Sequence, residues 1–341
     1  MKNEEFATAL NTLFSGVNRV VHATINSSLF SDSLEQRRAL KARSTFHFSF
    51  LIAIMLASCS ERQEAMPSDL DSADIDTTVL RVAVMPAMNC LPLYYAERCG
   101  LADSVGLEME LLRYQAQMDI DTAILYGHAD IAYTDLIRVS RLSKQVALAP
   151  LTSCDEPISL ISLKTKRVKR VNQMKEQMIA VSRLSATDYW CDRLLDSTHT
   201  NYDDIYRPQV NDVRLRAEML RQGLIDAAMM GEPFATWMTM LGHKRLFQSN
   251  ARKPRLYAWA ACSSATKQQQ QSFLHLLELA VKRCNDESEA AFLRDILKQE
   301  YQLPPALADT FKLQPLAPTS DIRQTDIEEA EKWLKQRANH K

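Results

Sequence analysis

The sequence predicts an α/β protein made of two lobes, each a mostly parallel sheet flanked by helices. Short apolar runs alternate with segments of helical spacing, and this alternation occurs twice along the chain. With 46% hydrophobic and 24% charged residues, the composition is close to that of an average globular protein. A chain of 341 residues is long enough to bury two cores.

The first alternation starts at Val79, and Pro86 ends its first strand. Its helices are predicted to stop at Gly100 and Gly127, where glycine accepts the left-handed conformation of a helix end. The predicted strands are Val79–Met85, Leu107–Tyr114, Ala129–Tyr133, Val146–Thr152 and Ile158–Leu163. The predicted helices are Leu91–Arg98, Asp119–Tyr126 and Ile137–Ser143.

The second alternation follows a basic run, and Gly223 and Gly242 mark the ends of two of its helices. Its predicted strands are Met178–Val181, Ile205–Val210, Ala227–Met230 and Arg255–Cys262. Its predicted helices are Ser185–Ser197, Val213–Gln222, Phe234–Leu241, Thr266–Asn285, Glu287–Leu303 and Ile327–Ala338. One interpretation is that the last strand returns the chain to the first lobe.

An export segment is predicted near the start of the chain. The apolar run Phe46–Ala57 follows a basic stretch and is shorter than the about 20 apolar residues of a spanning helix. It ends in Leu56-Ala57-Ser58-Cys59, which resembles a bacterial lipobox. We therefore expect residues 1–58 to be removed and Cys59 to be lipidated, whereas the alternative is a buried helix that ends in cysteine. Residues 59–77 are expected to form a flexible tether.

The length of the stretch before this apolar run leaves two interpretations open. Signal peptides usually begin closer to their apolar segment, and Met55 is the first methionine after Met1. The true start codon therefore lies elsewhere, or the basic region is unusually long.

Charge and motif content exclude several function classes. A formal net charge of −1 argues against a strongly basic nucleic-acid binder. The sequence contains no GxGxxG, GxxxxGK[ST], CxxC or HExxH pattern, so we predict no cofactor, no metal and no catalytic residue. Seven cysteines are too few for a disulfide scaffold.

Several motifs resemble those of ABC-transporter substrate-binding proteins of the nitrate, sulfonate, taurine and thiamine-precursor (pyrimidine) group. In Leu80–Arg138, a strand ending at proline precedes PLYYAERCGLADSVGLEMELLRY and ILYGHADIAYTD. Met219–Gly242 is similar to the second-lobe pattern "L..G.iDaa…EP.at.a…G" of that family. The matching positions in the first lobe are Ala96, Gly100-Leu101, Gly106-Leu107 and Gly127–Ala132.

The resemblance implies a type 2 periplasmic-binding-protein-like fold. It places residues 78–163 and 256–341 in lobe 1 and residues 164–255 in lobe 2, with crossovers near Ile158–Leu163 and Arg255–Cys262. It also implies a protein in the cell envelope, anchored to the membrane through lipid and facing the periplasm. This protein would close its cleft on a small molecule and pass the molecule to an ABC permease, with no nucleic acid involved.

Polar residues that follow the strands of the first lobe are candidate ligand contacts, because ligands of open parallel sheets sit beyond the carboxyl ends of strands. Asn89 is expected to contact ligand or to cap the next helix. Gln115 is expected to reach the cleft or to lie in a solvated loop. Thr134 and Asp135 end the third strand, where a helix cap and a ligand contact are compatible.

In the second lobe, Ser182, Ser185, Thr187 and Asp188 cluster at a predicted strand-to-helix turn. Hydroxyls at a helix N-terminus suit an anionic or polar group, and ordinary capping by Ser185 is the alternative.

Four further residues are candidates. Asn211 follows a predicted strand. Glu232 lies in the "EP" motif and would bind a cationic or amino group, or else a backbone donor. Tyr257 and Trp259 would stack on a flat ligand near the hinge, although aromatic residues are also common in cores.

The run KTKRVKR at Lys164–Arg170 has five positive charges in seven residues. A solvated turn is one interpretation, and contact with anionic lipid headgroups or the permease is the other.

The leading functional hypothesis is a lipid-anchored solute-binding protein. The alternatives are an enzyme of the same fold, similar to a menaquinone-pathway lyase or a thiamine-pyrimidine synthase, and an interaction lipoprotein without transport. A pyrimidine-like ring, a sulfonate or another small anion all remain open as ligand. Glu232, Asp135 and the hinge aromatics favour a nitrogenous ring, and the hydroxyl cluster favours an anion.

Overall fold

Two β-sheets organise the chain, as a computed structural model shows. The structure describes residues 79–250 and 253–339, all within one unit, Asp76–Lys341. The predicted signal region 1–58, Cys59 and the tether 59–77 lie outside the described residues.

The first sheet has five strands in the order β2-β1-β3-β9-β4. Four of them share one direction, and β9 alone is antiparallel to both of its neighbours. The strands are β1 (Leu80–Val84), β2 (Met109–Arg113), β3 (Ile131–Asp135), β4 (Leu148–Cys154) and β9 (Tyr257–Cys262).

The second sheet has four strands in the order β6-β7-β5-β8, and here β5 is the antiparallel strand. The strands are β5 (Ser159–Ser162), β6 (Ile179–Ala180), β7 (Ala227–Met230) and β8 (Lys244–Gln248). Each sheet is thus mostly parallel, and in each sheet the strand that enters from the other lobe runs in the opposite direction.

The lobe boundary differs from the predicted one. The strand at Ser159–Ser162, predicted to end lobe 1, pairs with β7 and β8 of the second sheet. The first crossover is therefore residues 155–158, and the return runs from residue 249 to residue 256. Because Leu160 and Ile161 are both fully buried, this strand is apolar on both faces, and its sequence does not reveal which sheet it joins.

Eleven described α-helices flank the sheets: nine lie within four residues of the predicted bounds, and the helices Leu101–Ser104 and Pro305–Thr310 were not predicted. Val213–Gln222 starts at an Asp212 cap and ends at Gly223, which has φ of 76°. The helices are α1 (Leu91–Arg98), α2 (Leu101–Ser104), α3 (Gln117–Leu125), α4 (Leu136–Leu142), α5 (Ala186–Ser197), α6 (Val213–Gln222), α7 (Phe234–Met240), α8 (Lys267–Cys284), α9 (Ala290–Gln299), α10 (Pro305–Thr310) and α11 (Gln324–Asn339).

One predicted strand is wrong, and one strand is unpredicted. Ile205–Val210 forms only isolated bridges, between Tyr206 and Met178 and between Gln209 and Val181. Pro208 has no N–H to donate, which interrupts a continuous ladder. β8 was not predicted, because its sequence KRLFQ has no alternating apolar pattern.

One large apolar cluster includes residues of both lobes, such as Leu80 and Phe234, and a smaller cluster lies in the second lobe. In the first lobe Trp259 and Phe273 are fully buried, and in the second Leu160 and Met229 are fully buried. A third cluster joins the last helix, α11, to α4 and α5 through residues that include Trp333. Among the described residues, no helix is long and apolar enough to cross a bilayer.

Candidate ligand-binding cleft

A cavity of about 60 Å³ lies where the carboxyl ends of strands from both sheets meet. Asp135 ends β3 and Gly231 follows β7, and both line the cavity. This is the position at which open parallel sheets bind ligands. The lining residues are Met85, Pro86, Ala87, Gln117, Tyr133, Asp135, Glu156, Ile158, Ser182, Ser185, Thr187, Asn211, Val213, Arg216, Gly231, Glu232, Phe234 and Tyr257.

The two lobes touch around this cavity. Arg138 of lobe 1 donates from Nη2 to Ser182 Oγ of lobe 2 at 2.8 Å. The backbone N–H of Ala186 donates to Asp135 Oδ2 at 3.2 Å. A backbone bridge also pairs Ala116 with Asp212. Polar contacts between the two lobes therefore border the cavity.

The predicted hydroxyl cluster lies at the N-terminus of α5. Ser185 caps this helix, because its Oγ accepts from the Thr187 N–H at 3.2 Å and donates to the Ser182 carbonyl at 2.6 Å. Thr187 Oγ1 accepts from the Ser182 N–H at 3.0 Å. All three residues line the cavity, so capping and a cleft position occur together.

Asp135 has a similar double position. Its side chain caps α4 by accepting from the Arg138 N–H at 3.0 Å, and it also lines the cavity. Burial raises the pKa of Asp135 to about 6, although the positive charge of Arg138 acts in the opposite direction.

Glu232 lines the cavity but already has protein partners. Its Oε1 pairs with Arg245 Nη2 at 2.8 Å, and its Oε2 accepts from the Thr236 N–H at 2.9 Å. Asn211 also lines the cavity and accepts from Ser182 Oγ at 2.9 Å.

The two aromatic residues predicted near the hinge, Tyr257 and Trp259, lie in different surroundings. Tyr257 lines the cavity and stacks on Tyr133, with ring centroids 5.8 Å apart and planes inclined by 11°. Trp259 is fully buried in the first-lobe core, where it packs edge-on against Phe273.

Other candidates lie away from the cavity. Gln115 is half-buried in the turn before α3, and it is Gln117, two residues later, that lines the cavity. Thr134 is fully buried next to Gln117 and accepts a hydrogen bond from Gln117 Nε2 at 3.4 Å. Asp188 lies one turn into α5 and pairs with Arg207 at 3.2 Å.

Asn89 lies beside the cavity and positions a lining residue. Its side chain does not cap α1 but donates from Nδ2 to Glu156 Oε2 at 2.6 Å and to the Asp155 carbonyl at 3.1 Å. It borders an adjacent groove of about 910 Å³, and this groove shares Glu156 and Glu232 with the cavity.

Glu156 was missed by the sequence reasoning. It lies in the first crossover, is buried, and accepts a further hydrogen bond from the Tyr133 hydroxyl at 3.4 Å. Burial first, and the negative charge of Glu232 second, raise the pKa of Glu156 to about 8. A Cβ at Gly231 would collide with Glu156 Oε1, so a larger residue there would require the Glu156 carboxyl to move. The sequence feature that could have identified Glu156 is the acidic pair Asp155-Glu156 between two apolar strands.

Arg216 was also missed. Its guanidinium, 2% exposed, donates to the carbonyl of Val210 at 2.9 Å from Nε and to the carbonyl of Met229. Among the residues that the structure describes, no carboxylate lies within 4.0 Å of it. Burial lowers the pKa of Arg216 to about 10. The sequence feature that could have identified Arg216 is its position on the buried face of α6, which also includes Val213 and Leu220.

The cleft thus has a buried cation in lobe 2 and a buried carboxyl at the crossover. No described ion pair joins Arg216 to Glu156. Within the same part of the chain, no group of His, Cys, Asp or Glu side chains could hold a metal.

Comparisons with known proteins agree with this geometry. Residues 87–252 match the family model described as NMT1/THI5 like. A comparison with curated proteins finds no match.

Solved structures show the same fold. The alkanesulfonate-binding protein SsuA from Xanthomonas axonopodis pv. citri, bound to MOPS, is 17% identical with a TM-score of 0.64, covering 76% of this chain and 92% of that one. The aliphatic sulphonate-binding SsuA from Escherichia coli is 16% identical with a TM-score of 0.60, covering 76% and 93%. The nitrate-binding protein NrtA from Synechocystis PCC 6803 is 11% identical with a TM-score of 0.61, covering 73% and 74%.

All three of these neighbours are named as binding proteins. The predicted fold class is confirmed, as is the resemblance on which it was based. Residues 87–252 are therefore similar to the NMT1/THI5-like family model, and the described part of the chain has the periplasmic-binding-protein fold.

Proposed function

We propose that this protein is a solute-binding protein that captures a small organic molecule in the inter-lobe cavity and passes it to an ABC importer. The observation that carries the proposal is a cavity lined by residues of both lobes, with several convergent polar side chains, at the carboxyl ends of their strands. The proposal is also supported by the structural neighbours, which are named as sulfonate-binding or nitrate-binding proteins.

The proposed location is the periplasmic side of the cell envelope, with Cys59 as the lipid anchor. The lipobox-like sequence and the basic, apolar segment before it support this part. A tether of about 20 residues would then leave the cleft free to move relative to the membrane.

Binding is proposed to occur by closure of the lobes. Residues 155–158, together with the described residues of the return, 249–250 and 253–256, connect the lobes and would serve as the hinge. The contacts of Arg138 with Ser182 and of Ala116 with Asp212 would break when the cleft opens. Solute that bridges both lobes would favour the closed state.

The charges of the cavity favour a ligand with two different polar groups. Arg216 has spare N–H donors and no carboxylate partner, so an anionic group on the ligand would satisfy it. Glu156 at the crossover would accept hydrogen bonds from an amino or ring N–H group. The stacked rings of Tyr133 and Tyr257 line the same cavity and would offer an apolar surface to the ligand.

A thermal-shift panel tests the proposed function. We expect 2-aminoethanesulfonate, or an amino-bearing pyrimidine with an anionic group, to raise the unfolding midpoint of the full chain more than ethanesulfonate or ethylamine does. Because ligand binds only the native state, a concentration 100 times the Kd adds about 2.7 kcal/mol to stability.

The panel also includes alkanesulfonates, thiamine precursors and amino acids. The Arg216→Met protein should show a weaker rise in the unfolding midpoint. Its matched control is Arg221→Met, which removes an exposed arginine of the same helix, α6, and should keep the full rise. If no member of the panel raises the midpoint of the wild-type protein, the proposed function is wrong.

A further inference from the structure

One edge of the second sheet faces away from the cavity. The carboxyl ends of β6 and β7 lead to Ser182 and Gly231 at the cavity, so the starts of these strands lie at the opposite edge. Since β5 is antiparallel to β7 and β8, its last residue and the first residue of β8 lie at that same edge. We call this the distal edge, comprising residues 163–170, Met178, Leu224 and residues 241–244.

The distal edge carries the basic run that the sequence singled out. All five cations of Lys164–Arg170 are exposed. Lys166 pairs with Asp226 at 2.7 Å. Within the described ranges, no carboxylate lies within 4.0 Å of Arg167, Lys169 or Arg170. Their charges are therefore available to an external partner.

Apolar side chains protrude beside these cations. Leu224 is 56% exposed, Leu241 is 38% exposed and Met178 is 37% exposed. Lys164 Nζ donates to the Leu241 carbonyl at 3.2 Å, and Leu163 lies 3.7 Å from a Cβ built at Gly223. These contacts place the basic run and the protruding leucines on one continuous surface.

We propose that the distal edge docks on an anionic lipid surface. Unpaired cations are attracted to acidic headgroups, each contributing roughly fivefold in affinity near the surface. Neighbouring leucine and methionine side chains can enter the boundary between headgroups and acyl chains. The cavity lies at the other edge of the sheet, so docking leaves it accessible. This inference does not depend on the identity of the solute.

The test compares binding to vesicles of phosphatidylcholine alone and of phosphatidylcholine with 30% phosphatidylglycerol. The protein is the full chain with Cys59→Ser, so that no acyl chain is attached at the predicted site. We expect stronger binding to the anionic vesicles, reduced at least tenfold by 0.5 M salt. Because all variants share residues 1–78, differences between them report on the distal edge.

The decisive variant is Arg167→Gln with Lys169→Gln, which should lower affinity for anionic vesicles roughly 25-fold. Its matched control is Lys332→Gln with Lys335→Gln, which removes two exposed charges from α11 and should have little effect. Leu224→Ser should weaken binding at constant charge. The proposal is overturned if both charge pairs have the same effect or if Leu224→Ser has none.

Discussion

Replacing Arg216 with methionine is expected to weaken solute binding about 100-fold, which corresponds to roughly 3 kcal/mol. The substitution keeps most of the side-chain volume but removes the buried cation from the cavity. An anionic group on the solute then loses its buried cationic partner, and charge-assisted hydrogen bonds are stronger than neutral ones in such surroundings.

The same substitution is expected to lower the free energy of unfolding. The carbonyls of Val210 and Met229 lose their donor, and each unpartnered buried carbonyl costs about 1–3 kcal/mol. Removal of a lone buried charge offsets part of this loss.

The substitution Arg216→Lys distinguishes the role of Arg216 in solute binding from its role in stability. Lysine keeps the charge but cannot reproduce the two-carbonyl geometry of the guanidinium. We expect it to lose stability yet to bind solute within about tenfold of wild type. Titration calorimetry on folded protein measures this, and equal affinities of the wild-type and Arg216→Met proteins would show that Arg216 is purely structural.

Replacing Glu156 with glutamine is expected to stabilise the protein at alkaline pH. The pKa of Glu156 is raised from 4.5 to about 8 by burial and by the charge of Glu232. Between these two values the native state retains a proton that the unfolded state has released, so the free energy of unfolding falls as pH rises through this window. The total loss is on the order of 3–5 kcal/mol.

Denaturant unfolding at pH 6, 7.5 and 9 measures this effect. The difference between wild type and Glu156→Gln should grow with pH, because glutamine keeps an acceptor for Asn89 but carries no charge. Asp135, whose pKa is raised to about 6, contributes a slope of the same sign in both proteins. Glu328→Gln, at an exposed position on α11, is the control and should follow the wild type. Parallel curves for wild type and Glu156→Gln would contradict the predicted ionisation.

Local sequence was sufficient to predict the bounds of helices and strands where capping residues or glycines mark their ends. Val213–Gln222 and Ala227–Met230 have the same bounds in the prediction and in the structure. Local sequence was not sufficient for Ser159–Ser162, because an apolar strand fits either sheet, nor for Ile205–Val210, where a proline interrupts the pairing.

The cleft shows the same limit. Ser185 and Asp188 are three residues apart on α5, yet the first lines the cavity and the second pairs with Arg207. Ser185 is the cap that precedes the helix and Asp188 lies in its first turn, so the packing of the two lobes, which local sequence does not specify, determines which side chain reaches the cavity. Tertiary packing also brings Glu156, which lies in the first crossover, and Arg216, which lies within α6, to the cavity.

Native mass spectrometry of the protein, released from its own cell envelope without denaturation, tests most directly whether the lobes hold a solute. We predict a species heavier than the polypeptide by one small molecule, released on denaturation and absent from the Arg216→Met variant. A spectrum with the same mass before and after denaturation, identical for both proteins, would contradict the proposal that this cleft captures a solute.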